Sequence, residues 1–309
     1  MKKLVIEFSN ERLITPSGLS LVGQMLGKSS FIKKCNNMKV DGKRSQSQIK
    51  NGDILLSYIG LLCQGKTSYD AINEMSDDPE YYRLALGITR AIPSAETLRQ
   101  RMDDIGSSLR EEILNANVDM FNTFNVQPSA LESGLVPLDL DVTPMDNSKT
   151  HKEGVAHTYK GFDGYAPMMA YIGTEGFLAN TELREGSQHC QCNTPAFLKQ
   201  TLRLGHQLTD KQLLVRMDAG NDAAENLGIL IEDGSWFIVK RNLRRGESKK
   251  DWISKVKECC KDIRNPREGK TVYIAGHITT HGRRIVLAIG CSNVWRHVFM
   301  DIYNRFALE

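Results

Sequence analysis

The segment LVPLDLDVTPMD, residues 135–146, decides the fold of this chain. Its apolar residues alternate with Asp139 and Asp141, as in a strand whose successive side chains point to opposite faces. The two carboxylates therefore share one face, where their repulsion is costly unless a cation or a proton relieves it. This cost points to metal-dependent phosphate chemistry. The alternative is a turn at the strand end, in which one of the two aspartates caps backbone N–H groups.

The composition is that of a soluble globular protein, with 40% hydrophobic and 25% charged residues in a chain of 309. The length favours about two domains. The formal net charge is only +3, so the total charge is weak evidence for a nucleic-acid partner. No apolar run is long enough to span a membrane, and the N-terminus lacks the features of a signal peptide.

The seven cysteines favour a cytoplasmic protein with reduced thiols, because their number is odd and no C-x-x-C pair is repeated. The cluster His189-Cys190-Gln191-Cys192 contains histidine and cysteine, the residue types that commonly bind zinc. No second pair follows at ligand spacing, so the sequence gives little support to a zinc site there.

The first 130 residues are predicted to be mostly helical after a short strand over residues 4–8. Gly106 is expected to end one helix, and the helix before it carries Thr97, Arg99, Gln100 and Arg101. Three short helices, the last of which carries these polar residues, resemble a helix-turn-helix. The alternative is that the polar residues form the exposed face of an ordinary helical bundle. The predicted helices span residues 53–65, 68–75, 78–87, 93–106 and 109–124.

From residue 135 the pattern changes to strands and helices. The first three strands suit an antiparallel meander, and the later ones suit parallel addition through crossover helices. Residues 244–294 look like a basic β-rich insertion, and residues 295–309 look like a helix. The strands are predicted at 135–143, 168–173, 178–186, 213–222 and 235–243, and the helices at 194–205 and 223–234.

Two further acids are candidate partners for Asp141. Asp218 ends an apolar strand, and Glu309 shares a face of the terminal helix with Arg305. Acids at the ends of neighbouring strands, joined by a third from a helix, can hold two Mg²⁺ ions for an in-line phosphoryl displacement. The alternatives are that Asp218 caps the helix at residue 223 and that Glu309 is a solvated terminal residue.

Three segments in order resemble the bacterial insertion-sequence transposases that have a DDE catalytic triad. They are LDLDVTPMDNSKTHKEGVAHTYKGFDGYAPMMAYIG (138–173), RMDAGNDAAEN (216–226) and YNRFALE (303–309). The helical segment DDPEYYRLALGITRAIPSAETLRQRM (77–102) shares the resemblance, which is greatest to the branch of insertion sequence thirteen-eighty. The family's tyrosine lies three residues before its arginine, whereas Tyr303 lies two before Arg305.

The resemblance implies an α/β fold with a ribonuclease-H-like mixed sheet, in which three antiparallel strands are followed by parallel additions. An all-α DNA-binding domain would occupy residues 1–130 and the catalytic core residues 131–243. The basic β-rich insertion would occupy residues 244–294, and the helix of the catalytic glutamate would begin in residues 295–309. Chains of the family continue beyond this glutamate, so the sequence is expected to be truncated at its C-terminus.

The resemblance also implies the chemistry. Asp141, Asp218 and Glu309 would be the catalytic acids and the ligands of two Mg²⁺ ions, for which Mn²⁺ substitutes, with Asp139 as a further ligand or a neighbour of the site. The enzyme would hydrolyse the phosphodiester at the element end, and the freed hydroxyl would attack target DNA. The expected partners are double-stranded DNA, as terminal inverted repeats and target, and a second copy in a homodimer. The expected location is the bacterial cytoplasm, at the nucleoid.

Basic and aromatic residues near the acids are candidate DNA ligands. The stretch KRNLRRGESKK, residues 240–250, has six basic residues and one acid, which suits phosphate contacts or a solvated loop. Trp252 suits base stacking or core packing. The full set of candidates is Arg99, Arg101, Lys160, Lys240, Arg241, Arg244, Arg245, Lys249, Lys250, Trp252 and Arg305.

Two rival functions remain open at this level. Asp139-x-Asp141-x-Thr143 is also the signature of haloacid-dehalogenase-like phosphatases, with Asp139 as nucleophile and Asp141 as general acid. The metal-binding acids of that family would then be Asp218 and Asp222. About 130 preceding residues and a hairpin after the first strand count against that family. The second rival is a truncated, inactive transposase that binds DNA without cutting it, because Glu309 is the last residue of its helix.

Overall fold

The computed structural model describes residues 16–38 and 48–248, residues 250 and 254, and the backbone of Tyr273–Ile274. The chain divides into two compact units between Thr123 and Phe124. The helices are α1 (Leu19–Lys28), α2 (Phe31–Asn37), α3 (Asn51–Cys63), α4 (Pro79–Leu86), α5 (Ala95–Thr123), α6 (Thr194–Leu208) and α7 (Ala224–Asp233). The strands are β1 (Val136–Val142), β2 (Met145–Asp146), β3 (Ala156–His157), β4 (Asp163–Tyr165), β5 (Met168–Ile172), β6 (Phe177–Glu182), β7 (Leu213–Met217), β8 (Trp236–Lys240) and β9 (Tyr273–Ile274).

The described residues before Phe124 form helices around one apolar core. Helix α3 is buried along most of its length, as its nearly continuous apolar sequence predicts. A short 3₁₀ helix, Tyr69–Ser76, follows it. Helix α4 begins with Pro79 after Asp78, whose carboxylate accepts the Tyr81 N–H at 3.3 Å. None of the helices among the described residues is both long and apolar enough to cross a membrane.

The prediction that Gly106 ends a helix is wrong. Residues Ala95–Thr123 form one helix of 29 residues, and Gly106 lies in its interior. A glycine there costs about 1 kcal/mol relative to alanine. Ile105 and Leu109, on either side of it, are buried in the helical core, and this packing outweighs the local cost. The polar residues predicted for a recognition helix therefore lie in the first turns of one long helix.

A buried carboxylate fixes the connection between α4 and α5. Asp53, on α3, is only 2% exposed. It accepts the backbone N–H groups of Thr89 at 2.8 Å and of Arg90 at 3.0 Å, and also the Thr89 hydroxyl at 3.2 Å. Because these donors replace water around the charge, the carboxylate can remain buried.

The second unit contains a six-stranded mixed sheet in the order β6-β5-β1-β7-β8-β9. Strand β1 pairs antiparallel with β5 and parallel with β7, and β7 pairs parallel with β8. The order agrees with the predicted meander followed by parallel additions. Strand β9, described only by its backbone, pairs antiparallel with β8 and lies within the predicted β-rich insertion, residues 244–294. The strand predicted over residues 4–8 and the predicted terminal helix lie outside the described residues.

Helix α6 covers one face of this sheet, and its contacts show which side chains of β1 point to that face. A Cβ added at Gly205 of α6 would lie 3.7 Å from a methyl of Leu138 and 3.9 Å from a methyl of Ile172. Leu138 and Leu140 are buried, at 0% and 2% exposure. Because side chains alternate along a strand, the carboxylates of β1 point to the face opposite α6.

A small three-stranded sheet, in the order β2-β4-β3, lies beyond the end of β1 and was not predicted. It depends on close backbone approach at Gly164, where an added Cβ would lie 2.0 Å from the Met145 carbonyl oxygen. At Gly186 an added Cβ would lie 2.1 Å from the Ala156 oxygen. The turn between β3 and β4, Thr158–Gly161, is thereby held beside the end of β1.

The contact between α1 and α4 should not tolerate a side chain at Gly23. An added Cβ would lie 1.9 Å from the Ala85 carbonyl oxygen, so Gly23→Ala should destabilise the protein by about 1–3 kcal/mol through overpacking. Gly27, on the same helix, has nothing within 4 Å, so Gly27→Ala should be neutral or stabilising by up to about 1 kcal/mol. Urea unfolding of both variants measures the difference. Equal stability of the two would contradict this packing.

Candidate active site

The register of β1 on β7 brings two of the predicted acids together. In this parallel pair Asp139 lies opposite Arg216, and Leu140 lies opposite Met217. Asp141 and Asp218 are the next residues of the two strands, so both lie at the carboxyl ends of adjacent parallel strands. Ligand sites in open α/β sheets occur at this edge. We call Asp141 and Asp218 the acid pair.

Asp139 differs from Asp141 because an arginine neutralises it. Both of its carboxylate oxygens accept from Arg216, one from Nε and the other from Nη2 at 2.5 Å. This bidentate geometry is the one that guanidinium and carboxylate groups prefer. The opening pair of aspartates is therefore asymmetric, with one charge compensated and the other directed toward Asp218.

The two carboxylates of the acid pair repel each other. The pKa of Asp141 is raised, first by burial and second by the neighbouring Asp218 carboxylate. Asp141 is exposed to solvent. The burial that raises its pKa is therefore partial desolvation by neighbouring protein atoms and not complete removal from water. The Lys160 ammonium opposes the effect. A divalent cation would relieve the same repulsion.

Asp218 is held by the loop that follows β7. Its Oδ1 accepts the Gly220 N–H at 3.0 Å and the side-chain amide of Asn221 at 2.8 Å. Asn221 is completely buried. The Gly220 carbonyl in turn accepts from the Cys190 thiol at 3.0 Å and from the Gln191 side chain. These neutral donors orient Asp218 without cancelling its charge. Arg216, Asn221 and Gln191 were not predicted as site residues, because local sequence patterns do not reveal their contacts.

The turn between β3 and β4 presents Tyr159 and Lys160 at the end of the sheet where the acid pair lies. The Tyr159 hydroxyl donates to the carbonyl of Val142, the residue after Asp141, at 3.4 Å. The Lys160 ammonium lies 5.4 Å from the centre of the Tyr159 ring. Among the predicted DNA ligands that the structure describes, Lys160 lies close enough to Asp141 for its charge to affect that carboxylate.

Two arginines of the basic stretch are engaged within the protein. Arg241 donates to the buried carboxylate of Asp222 at 2.9 Å and to Glu247 at 2.7 Å. Arg244 donates to the Asp222 carbonyl at 2.8 Å. These contacts hold the chain after β8 against the loop after Asp218. Lys240 is half-buried, and Arg245 and Lys250 are exposed; Lys249, Trp252, Arg305 and Glu309 lie outside the described residues.

The two predicted DNA ligands on α5 also contact the protein. Arg99 pairs with Glu96 at 2.6 Å and with Asp103 at 3.0 Å, both on its own helix. Arg101 donates to the Ile49 carbonyl at 3.1 Å and to the side chain of Asn51. Arg101 thus joins α5 to the start of α3. DNA binding by either arginine remains a prediction.

The acid pair fits a divalent cation by its chemistry, because carboxylate oxygens are the ligands that Mg²⁺ prefers. Within the described part of the chain, no three His, Cys, Asp or Glu side chains form a group that could hold a metal ion. The cluster His189-Cys190-Gln191-Cys192 lies in that part, and its Cys190 thiol donates to the Gly220 carbonyl at 3.0 Å. The third predicted acid, Glu309, lies outside that part.

The stability of the metal-free protein should depend on pH through Asp141. Its pKa is raised in the folded state, so its contribution is favourable below the unfolded pKa of about 3.9 and is lost as the pH rises through the folded pKa. Asp141→Asn should therefore gain in melting temperature over wild type between about pH 4 and pH 7. Solvent screening limits the gain to below about 1 kcal/mol.

Asp146→Asn provides the control of opposite sign, because hydrogen bonds from Ser148 lower the pKa of Asp146. This variant should be less stable than wild type above about pH 4, and the difference should disappear as the pH falls through the lowered folded pKa of Asp146. Thermal melts in the presence of a chelator measure both variants. No relative gain for Asp141→Asn with rising pH would show that the acid pair is not under strain.

The two arginines at the end of the sheet should differ in their effect on stability. Arg241→Ala leaves the Asp222 carboxylate, 1% exposed, without its main ion pair, and should cost about 3 kcal/mol. Arg245→Ala, at an exposed position, should change stability by less than about 0.5 kcal/mol. Urea unfolding compares them. A similar cost for both would contradict the structural role of Arg241.

Comparison with known proteins assigns the family. No curated protein matches the chain. Among solved structures, the cryo-EM structure of a piggyBac transposase synaptic complex with hairpin DNA is similar at 11% identity and a TM-score of 0.36, covering 82% of this chain. The chain spans about half of that protein's length, 53%. The family model for "Transposase DDE domain group 1" matches residues 1–271, and the chain therefore belongs to this family of DDE transposases.

Proposed function

We propose that the protein is a DNA transposase of a bacterial insertion sequence, of the thirteen-eighty branch, that cuts element ends and joins them to target DNA. The observation that supports this most directly is the acid pair. Asp141 and Asp218 lie at the ends of adjacent parallel strands, where the family's first two catalytic acids are expected. The antiparallel strands followed by parallel ones are consistent with a ribonuclease-H-like core.

Each residue of the site has a distinct role in this proposal. Asp141 and Asp218 would hold the divalent cations, Mg²⁺ or Mn²⁺, and Glu309 would add the third carboxylate. Bound cations of this kind stabilise the attacking and leaving oxygens of an in-line phosphodiester displacement. Asn221 and the Gly220 N–H orient Asp218 through Oδ1. Arg216 neutralises Asp139, so that Asp139 supports the sheet and is not itself a principal ligand.

The partners follow from the same proposal. The substrates are the terminal inverted repeats of the element and the target DNA, and the protein acts as a homodimer that holds paired ends, in the cytoplasm at the nucleoid. Lys160, beside Asp141, and the exposed Arg245 and Lys250 would contact phosphates. Arg241 and Arg244 would act indirectly, because their contacts with Asp222 position the chain after β8.

The phosphatase alternative has less support. In that reading Asp139 is the nucleophile and Asp222 a metal ligand. In the structure Asp139 is paired with Arg216, and Asp222 is buried against Arg241. A doubly wound phosphatase sheet is parallel around its first strand, whereas β1 pairs antiparallel with β5.

Cleavage of DNA that carries the inverted repeats flanking the gene tests the proposal. The purified chain should nick the repeat ends with Mg²⁺ or Mn²⁺, and Asp141→Asn or Asp218→Asn should each reduce the rate by roughly 1,000-fold, since metal-ion catalysis contributes several kcal/mol. Both variants should still bind the DNA.

Asp146→Asn is the matched control, because Asp146 is an exposed acid on the neighbouring β2 and should not affect the rate. Binding without cleavage by the wild-type chain would identify a DNA-binding protein only. Cleavage that survives Asp141→Asn would show that the acid pair is not the active site.

A further inference from the structure

The turn between β3 and β4 holds an exposed aromatic side chain in a fixed position. Tyr159 is 69% exposed. The turn around it is closed by the Thr158 N–H to the Phe162 oxygen at 2.8 Å and by the Gly161 N–H to the Thr158 oxygen at 3.0 Å. The Thr158 hydroxyl donates to the same Phe162 oxygen at 2.8 Å, and Gly161 has a φ of +86°. Because the backbone is held on both sides, the turn presents the ring at little cost in conformational entropy.

An aromatic face, a cation and the acid pair therefore meet at one end of the sheet. The Tyr159 hydroxyl lies 3.4 Å from the carbonyl oxygen of Val142, next to Asp141. The Lys160 ammonium lies 5.4 Å from the ring centre and acts on the charge of Asp141. Aromatic faces stack on nucleobases, and ammonium groups bind phosphates. The two side chains thus match the two chemical parts of one nucleotide.

We propose that Tyr159 and Lys160 form a nucleotide-binding platform, in which Tyr159 stacks on an unpaired base of the DNA strand that enters the acid pair and Lys160 binds its phosphate. The inference rests on the proposed function, because it places the reacting strand at Asp141 and Asp218. It deepens that function by naming the form of the substrate. A base inside a duplex is already stacked on both faces, so the platform selects a strand whose terminal bases are unpaired.

The chemistry of Tyr159 agrees with stacking and not with covalent catalysis. Although the ring is mostly exposed, partial desolvation of the phenol by neighbouring protein atoms raises its pKa, and the charges of Asp141 and Asp218 add to this effect. The side chain therefore remains neutral at physiological pH. A neutral ring beside two carboxylates presents its face to a base, whereas a tyrosinate nucleophile would be opposed by both acids.

Fluorescence of a short single-stranded oligonucleotide with one aminopurine base at its end tests the platform, with the whole chain and without divalent cations. Stacking quenches this base. Tyr159→Ala should abolish the quench and raise Kd by about 10-fold, in line with about 1–3 kcal/mol per stacked base, whereas Tyr159→Phe should preserve both. Lys160→Gln should keep the quench but lower the slope of log affinity against log salt by about 0.7.

Trp236→Ala is the matched control. This tryptophan is also exposed, at 56%, but it begins β8 and lies opposite Leu214, near the start of β7. The substitution should change neither the quench nor Kd. Thermal melts of the Tyr159 variants establish that they fold, and Tyr159→Leu, which keeps apolar bulk without an aromatic face, should fail to quench as Tyr159→Ala does.

The outcomes separate this inference from the proposed function. Normal quenching by Tyr159→Ala or Tyr159→Leu would overturn the platform, and the proposed function would stand if Asp141→Asn and Asp218→Asn still abolished cleavage. Equal affinity for a fully paired duplex and for the same duplex with unpaired ends would also overturn it. A wild-type chain that neither bound the oligonucleotide nor cut DNA would overturn both.

Discussion

The parallel register of β1 on β7 is the constraint on which the site depends. With Asp139 opposite Arg216, the next residues of the two strands are Asp141 and Asp218. A shift of one residue would turn both aspartates of β1 toward α6, where leucines now pack. A shift of two would place Arg216 opposite Asp141 and neutralise the acid that the site needs free. The ion pair and the buried leucines therefore select the same register.

Much of the second unit could be predicted because its signals are local. The alternation along 135–143 and the apolar run before Asp218 each need only a few neighbouring residues to be recognised. The pairing of Asp139 with Arg216 could not be predicted in this way, since it joins residues 77 positions apart. The sequence distinguished Asp141 from Asp139 only through resemblance, whereas the structure gives the physical reason, a neutralised charge beside a free one.

The expectations that differ from the structure share one cause. Gly106 has a low helix propensity, but Ile105 and Leu109 gain more from burial than the glycine costs. In the basic stretch, phosphate contacts stay a prediction, but the charge of Arg241 was counted without its partners in the protein. Asp222 and Glu247 supply them for Arg241. In both cases a property that holds for an isolated segment is overridden by tertiary contacts, which a single sequence does not display.

The Asp141 and Asp218 carboxylates repel each other, and the groups that hold Asp218 in place are neutral. Amide donors orient Asp218, and backbone hydrogen bonds close the turn that carries Tyr159. Among the described residues, the Lys160 ammonium lowers the pKa of Asp141. Had arginines oriented both acids, as Arg216 does for Asp139, the carboxylates would have had little need of a metal ion. Orientation by neutral groups keeps the acids fixed and leaves their charge available. The stability lost to this repulsion is offset by the apolar contacts between the opposite face of β1 and α6.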